Sequence, residues 1–232
     1  VMVWSDLVQT SGESHFYNAD NFSEIRLQGN HKGNNDYRDA FRGSNNISLV
    51  ADIMEHLPDT LDIAMQRPLA KIEFVTNDVR EFIDKESDRV ASKANENESA
   101  SNDDTPTRAV NIEDYKVVFQ YTSFVPNTYN LMLKKPVDAF LGYKFNATIS
   151  PVNSEEARIG MDYILINGTE SSVNLQVLLY SPKGELLSTS NPVTVPMVRG
   201  KITTIRGKFL TLQIDGGISL DTDFDGEINI VI

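Results

Sequence analysis

Val173-Asn174-Leu175-Gln176-Val177-Leu178-Leu179-Tyr180-Ser181-Pro182-Lys183-Gly184 decides how the rest of the chain is read. Val173, Leu175, Val177 and Leu179 alternate with Asn174, Gln176, Leu178 and Tyr180, the two-residue period of a half-buried strand. Ser181-Pro182-Lys183-Gly184 sets proline at the second turn position and glycine at the fourth. That predicts a hairpin between 173–180 and 185–189. Leu61, Ile63 and Met65 alternate in the same way with Asp62, Ala64 and Gln66. Met161, Tyr163 and Leu165 alternate with Asp162, Ile164 and Ile166. The second set is mostly apolar too, so this strand is expected to be buried on both faces. Further strands are expected near 115–122, 128–133, 141–149, 193–198, 201–206 and 208–214. They are short, turn-separated and mostly not interleaved with helices, an all-β sandwich pattern.

One or two short helices interrupt it. Asp78 followed by Glu81 resembles a capping box, with Asp78 accepting from the first-turn amides. Val79, Phe82 and Ile83 then form one apolar stripe, predicting about two turns docked on a sheet. Leu49 to Leu57, ending at Pro58, is the second candidate. From Asp84 to Arg108, 11 of 25 residues are charged, none is aromatic, and Val90 is the only aliphatic residue larger than alanine. Such a stretch buries too little surface to offset its ordering entropy. The expectation is a mobile polar loop over 84–108, cut first by proteases at Lys85, Arg89, Lys93 or Arg108.

Composition removes whole classes of function. The 232 residues hold no cysteine, so disulfides, thiolate metal sites and cysteine nucleophiles are excluded. A formal charge of −12 repels phosphate, and no basic, aromatic-laced stripe points to nucleic acid. No apolar run approaches the ~18–20 residues of a membrane helix. There is no G-x-S-x-G elbow, and Gly200-Lys201 lacks the rest of a phosphate loop. His15, His31 and His56 have no i+4 partner and read as surface or turn residues. No cofactor is implied, and the chain is not expected to be an enzyme.

Asp221-Thr222-Asp223-Phe224-Asp225-Gly226 matches the first six positions of a calcium loop, making Asp221, Asp223 and Asp225 an alternative metal site. The twelfth position, which needs a bidentate glutamate, is Ile232. A structural reading explains more: Phe224 is a core anchor, Asp225-Gly226 a turn, and Glu227 to Ile232 a closing strand. Five Asn-x-Ser/Thr triplets, at Asn21, Asn46, Asn97, Asn146 and Asn167, decide nothing in an Asn- and Ser-rich chain. The opening VMVWSDLV reads as a buried strand from its first residue, with no leader segment, so further residues are expected ahead of it.

Arg67-Pro68-Leu69-Ala70-Lys71-Ile72-Glu73-Phe74 resembles a segment of the fimbrillin-like surface proteins of Bacteroidetes, relatives of type V pilus subunits. Val3-Trp4-Ser5-Asp6 and Asp39-Ala40-Phe41-Arg42-Gly43 resemble that family's first domain. Phe124-Val125-Pro126-Asn127, Met161-Asp162-Tyr163-Ile164 and Val195-Pro196-Met197-Val198-Arg199 resemble its second, as do the stretches Thr203 to Thr211 and Phe224-Asp225-Gly226. The resemblance implies two transthyretin-like β-sandwich domains: an incomplete one over 1–66 and a C-terminal one over 67–232. It also implies export as a lipoprotein to the outer membrane and cell surface, through a lipid anchor absent from this chain. The implied role is a non-catalytic pilus (fimbria) component or adhesin in cell adhesion. Its partners would be other pilus subunits or surface ligands, with assembly by β-strand complementation as the physical mechanism. The alternative is a stand-alone carbohydrate-binding module, with Tyr17, Tyr37, Tyr121, Tyr129 and Tyr143 as candidate sugar platforms.

Overall fold

The structure, a computed structural model, describes residues 1–7, 16–29, 33–46, 60–97 and 109–211, with helix side chains described through Ser92. The described chain is mostly β and forms four sheets. The first holds, in spatial order, β10 (Lys144–Thr148), β7 (Lys116–Tyr121), β13 (Glu170–Tyr180) and β14 (Leu186–Thr189), with β15 (Val193–Val198) paired to the upstream half of β13. The second holds β11 (Ser150–Pro151), β12 (Ala157–Leu165), β6 (Leu69–Thr76) and β16 (Ile202–Gly207). The third holds β2 (Tyr17–Asn18), β3 (Ile25–Leu27), β8 (Val125–Asn130) and β9 (Lys135–Phe140). The fourth holds β1 (Met2–Asp6), β4 (Ala40–Ser44) and β5 (Met65–Gln66). All described pairings are antiparallel except that of β16 with β6.

The stretch that decided the reading behaves as its period dictates. Val173, Leu175, Val177 and Leu179 are all buried on one face of β13. Ser181 closes the hairpin through its backbone, accepting from the Gly184 N–H at 2.9 Å and donating to the Glu185 carbonyl at 2.8 Å. Gly184 there takes φ +83°, a left-handed conformation that glycine adopts without a Cβ clash.

Two cores lie on opposite faces of the β6–β12 pair. On one face, Ile72 and Phe74 of β6 meet Phe119 and Tyr121 of β7 and the apolar row of β13. On the other, Leu69, Met161, Tyr163 and Leu165 meet Tyr17, Ile25, Ala40, Tyr129 and Leu131. β12 is therefore buried on both faces, as its nearly continuous apolar run requires. Gly160 marks a register shift in this strand, and a Cβ there would lie 2.3 Å from the Phe119 ring. Only glycine lets the two sheets approach so closely. The second core joins residues on both sides of Gln66, and β3 pairs with β8 through Ile25↔Tyr129.

Several expectations need correction. The helix α1 begins at Val79 as expected but runs to Asn97, 19 residues instead of two turns. The first part of the polar stretch over 84–108 is thus helical, not a loop. Glu86 explains it: this buried carboxylate takes Arg89 at 2.8 Å and the Tyr115 hydroxyl at 3.0 Å, and Arg89 also reaches Glu185. Burial and the Glu86 hydrogen bond push the Tyr115 phenol up to about 12. Alanine, glutamate, lysine and arginine supply the helix propensity for the exposed remainder.

Asp78 is buried, and its carboxylate grips a distant segment instead of the first helical turn. It accepts from the Thr76 hydroxyl, the Leu210 N–H at 3.1 Å, and the Thr211 N–H and hydroxyl at 2.8 Å each. Glu81 pairs with Lys208 at 2.7 Å. The expected capping box is therefore a clasp holding residues 208–211, whose Phe209 and Leu210 enter the first core. Residues 208–211 are not a strand, and of 61–66 only Met65–Gln66 pairs in a sheet. The strand expected at 128–133 starts earlier, at Val125, and β9 had no period to announce it. The helix candidate over 49–57, the three histidines, Phe224, and the alternative calcium ligands Asp221, Asp223 and Asp225 lie outside the described residues.

Candidate functional site

The fourth sheet ends on β1, and its pairing follows the hydrophobic alternation of the opening residues. Val3 lies opposite Gly43 and Ser5 opposite Phe41, so the two segments resembling one family's first domain pair with each other. Val1 and Asn45 exchange both backbone bonds, at 2.8 Å and 3.0 Å. In an antiparallel ladder such bonded pairs recur every second residue. Val3 and Ser5 therefore point their N–H and C=O groups at β4, while those of Met2, Trp4 and Asp6 point to the opposite edge. Among the described residues no strand pairs with that edge.

The edge is supported from beneath. Trp4 packs edge-on to Tyr17 at 5.3 Å between centroids and lies 6.0 Å from Tyr129. These rings belong to the second core, so β1 rests on packed aromatic side chains. Edge strands that must stay unpaired are blunted by proline, lysine or bulges. β9, at the edge of the third sheet, carries Lys135, Pro136 and Asp138, and its ladder to β8 shifts register twice. β1, Met2-Val3-Trp4-Ser5-Asp6, has neither proline nor lysine.

A second open edge is closed from within the chain. Downstream of its short pairing with β11, β12 faces the loop containing the 3₁₀ turn Asp36–Arg38. The Asn34 N–H donates to the Met161 carbonyl at 2.7 Å, and the Arg38 guanidinium donates to the Tyr163 carbonyl at 2.8 Å. Arg38 also reaches the Asp162 carboxylate; both side chains are at most 1% exposed. Asp162 further accepts from the Tyr121 hydroxyl at 2.7 Å and the Tyr163 N–H at 2.8 Å, while the Tyr17 hydroxyl donates to the Arg38 carbonyl at 2.8 Å. Burial opposes the Arg38 charge, but the Asp162 carboxylate more than offsets it and holds Arg38 firmly protonated. Burial, reinforced for Tyr121 by Asp162, raises both the Tyr17 and Tyr121 phenols well above their ordinary value. Asp162 uses both carboxylate oxygens on partners from three elements, which suits a fastener between the two cores. Sequence reading missed it, because Arg38 and Asp162 are separated by 124 positions.

Of the five tyrosines considered as sugar platforms, Tyr17, Tyr121 and Tyr129 are buried, Tyr143 is half-buried, and Tyr37 alone is exposed. They build no shared exposed platform. Among the described residues there is no group of three or more histidine, aspartate or glutamate side chains able to hold a metal, and no helix is long and apolar enough to cross a membrane.

The model of a family of unknown function, DUF6562, matches residues 1–232. The chain belongs to DUF6562. No curated protein matches this DUF6562 member. Among solved structures it is similar to the fimbrial anchor protein Mfa2 from Porphyromonas gingivalis, at 10% identity and TM-score 0.37, covering 82% of this chain and 57% of Mfa2. It is similar to two candidate adhesins from Bacteroides ovatus, each at 9% identity. One has TM-score 0.43 and 92% coverage of this chain against 73% of its own. The other has TM-score 0.35 and coverages of 82% and 52%. The DUF6562 chain thus spans little more than half of Mfa2 and of the second adhesin. These neighbours are fimbrial and adhesin proteins of Bacteroidetes, the group that the sequence resembles.

Proposed function

We propose that this chain is a non-catalytic fimbrillin-like protein of the cell surface, carried to the outer membrane as a lipoprotein, and that it joins its partners by receiving a strand along β1. The observation that carries the reading is the outer edge of β1, with which no strand among the described residues pairs and where Met2 and Trp4 turn backbone donors and acceptors outward above a packed aromatic layer. Main-chain hydrogen bonds would supply affinity and alternate side chains specificity. The partner is another pilus subunit or a surface ligand bearing an extended segment. In this reading residues 67–232 form one transthyretin-like sandwich, and residues 1–66 contribute to a second that is completed by strands lent from 67–232.

The test is a photo-crosslinking amino acid at Met2, which is 40% exposed, in the native cell envelope. Val152, 60% exposed beside β11 in another sheet, serves as the control position. An adduct to another envelope protein from Met2 but not from Val152 is expected. Adducts from both positions alike, or from neither, would contradict the reading.

A further inference from the structure

We propose that a cluster of donors beneath β1, formed by Trp4, Arg42 and Tyr129, receives the carboxylate of a glutamate carried on the docked strand. The proposal rests on the strand-docking reading and names the chemistry of the partner. Trp4 and Arg42 are opposite residues of the β1–β4 ladder, so their side chains share one face. That face turns to the second core, which holds Ala40 of β4 and, beside the Trp4 ring, Tyr129. Three donors end there with no acceptor at hydrogen-bond distance: the Trp4 Nε1–H, the Arg42 Nε–H and the Tyr129 hydroxyl. Tyr129 is fully buried and Arg42 is 6% exposed, a costly setting for a phenol and a cation without partners.

The cluster is also cationic. Burial raises the Tyr129 phenol, and Arg42 and Arg199 both draw it back down. Arg199 reaches this place because the next residue, Gly200, donates its N–H to the Leu69 carbonyl at 2.7 Å, and Leu69 belongs to the same core. Neither guanidinium takes part in an ion pair among the described residues. The acids of the surrounding elements are turned to other groups. Asp39 holds Arg67 at 2.9 Å, Asp162 holds Arg38, and Asp6 acts on the Tyr17 phenol. Every group of the cluster donates and its charge is positive, so an anion with two acceptor oxygens fits it.

Position selects glutamate. A strand bonded to the outer edge of β1 lies two strand spacings from β4, about 9–10 Å. Its residue opposite Trp4 faces the same core, because opposite residues share a face. Side-chain carboxylates are the anions that an unmodified strand delivers at this depth. A glutamate has the length to set its carboxylate between the Trp4 Nε1–H and the Arg42 guanidinium, whereas aspartate is one methylene shorter.

The experiment uses the whole chain and the capped peptide Thr-Val-Thr-Glu-Thr-Val-Thr, whose two valines and glutamate share one face. The same peptide with Gln or Asp at its centre, and free glutarate, are the comparison probes. Trp4 is the only tryptophan, so its indole N–H resonance and its fluorescence report from the cluster itself. The Glu peptide is expected to bind about tenfold or more tightly than the Gln peptide and to shift the indole N–H downfield. Arg42→Met should abolish that preference while the melting temperature of the free chain holds or rises, because an unpaired buried charge is gone. Arg199→Gln, at a half-buried position, should reduce the preference in a chain that keeps its fold. Equal binding of the Glu and Gln peptides would overturn the proposal and leave strand docking standing. So would binding of the Asp peptide or of glutarate as tight as that of the Glu peptide. No binding by any peptide, an unmoved indole N–H, or a preference retained in Arg42→Met would overturn it too. Failure of the docking reading itself is read separately, from the Met2 crosslink.

Discussion

Replacing Asp162 by alanine tests the fastener between the two cores. The substitution leaves the Arg38 guanidinium, 1% exposed, without its counter-charge and the Tyr121 hydroxyl without its acceptor. Removing one partner of a buried ion pair costs about 3–5 kcal/mol. The orphaned Tyr121 hydroxyl adds about 1–3 kcal/mol. The sum is a large fraction of the ~5–15 kcal/mol stability of an ordinary domain. Asp162→Asn keeps an acceptor for one donor and should fall between wild type and alanine. The paired replacement Arg38→Met with Asp162→Leu removes both charges together and should recover most of the loss, because neither charge is then buried alone. Urea unfolding followed by circular dichroism and by fluorescence reads the result. Trp4, the only tryptophan, packs against the second core and reports on it directly. A loss under about 1 kcal/mol for Asp162→Ala, or a paired variant no better than the single one, would refute the reasoning.

Gly160→Ala forces a Cβ to within 2.3 Å of the Phe119 ring and should cost about 1–3 kcal/mol in the same unfolding assay. Trypsin should spare Lys85 and Arg89 in the folded chain, because both lie in α1, and Glu86→Ala should expose them by releasing Arg89 and Tyr115. Burial raises the phenols of Tyr17, Tyr121 and Tyr143 well above the ordinary value of 10.0 and those of Tyr115 and Tyr163 to about 12. The unfolded chain then releases these protons first, so the stabilisation is intact below pH 10 and declines as pH rises toward 12 and beyond. Tyrosinate absorbance and circular dichroism should change together in that window; full ionisation with the fold intact would contradict it.

What could be read in the sequence was what local periodicity writes. The β13 row and its Pro-Gly turn carry their own signal, and so does β12, whose apolar residues on both sides announced burial on two faces. The length of α1 was hidden because its anchor is not local: Glu86 is satisfied by Tyr115 and Arg89, and Arg89 by Glu185. Asp78 looked like a helix cap because a cap and a clasp use the same residue. Its true partners, Leu210 and Thr211, lie over 130 positions away. The alternation at 61–66 was correct as a pattern but found only Arg42 and Gly43 to pair with, at its last two residues. The β1 edge was legible as a strand, but whether its outer side is filled depends on the whole topology.

Amide hydrogen exchange along β1, read residue by residue in the isolated chain and again in the assembled cell-surface complex, tests the docking edge most directly. The isolated chain should show slow exchange at Val3 and Ser5, whose N–H groups face β4, and fast exchange at Met2 and Trp4. In the complex Trp4 should become slow as well. Slow exchange at Trp4 in the isolated chain, or fast exchange there in both states, would contradict the docking of a strand on this edge.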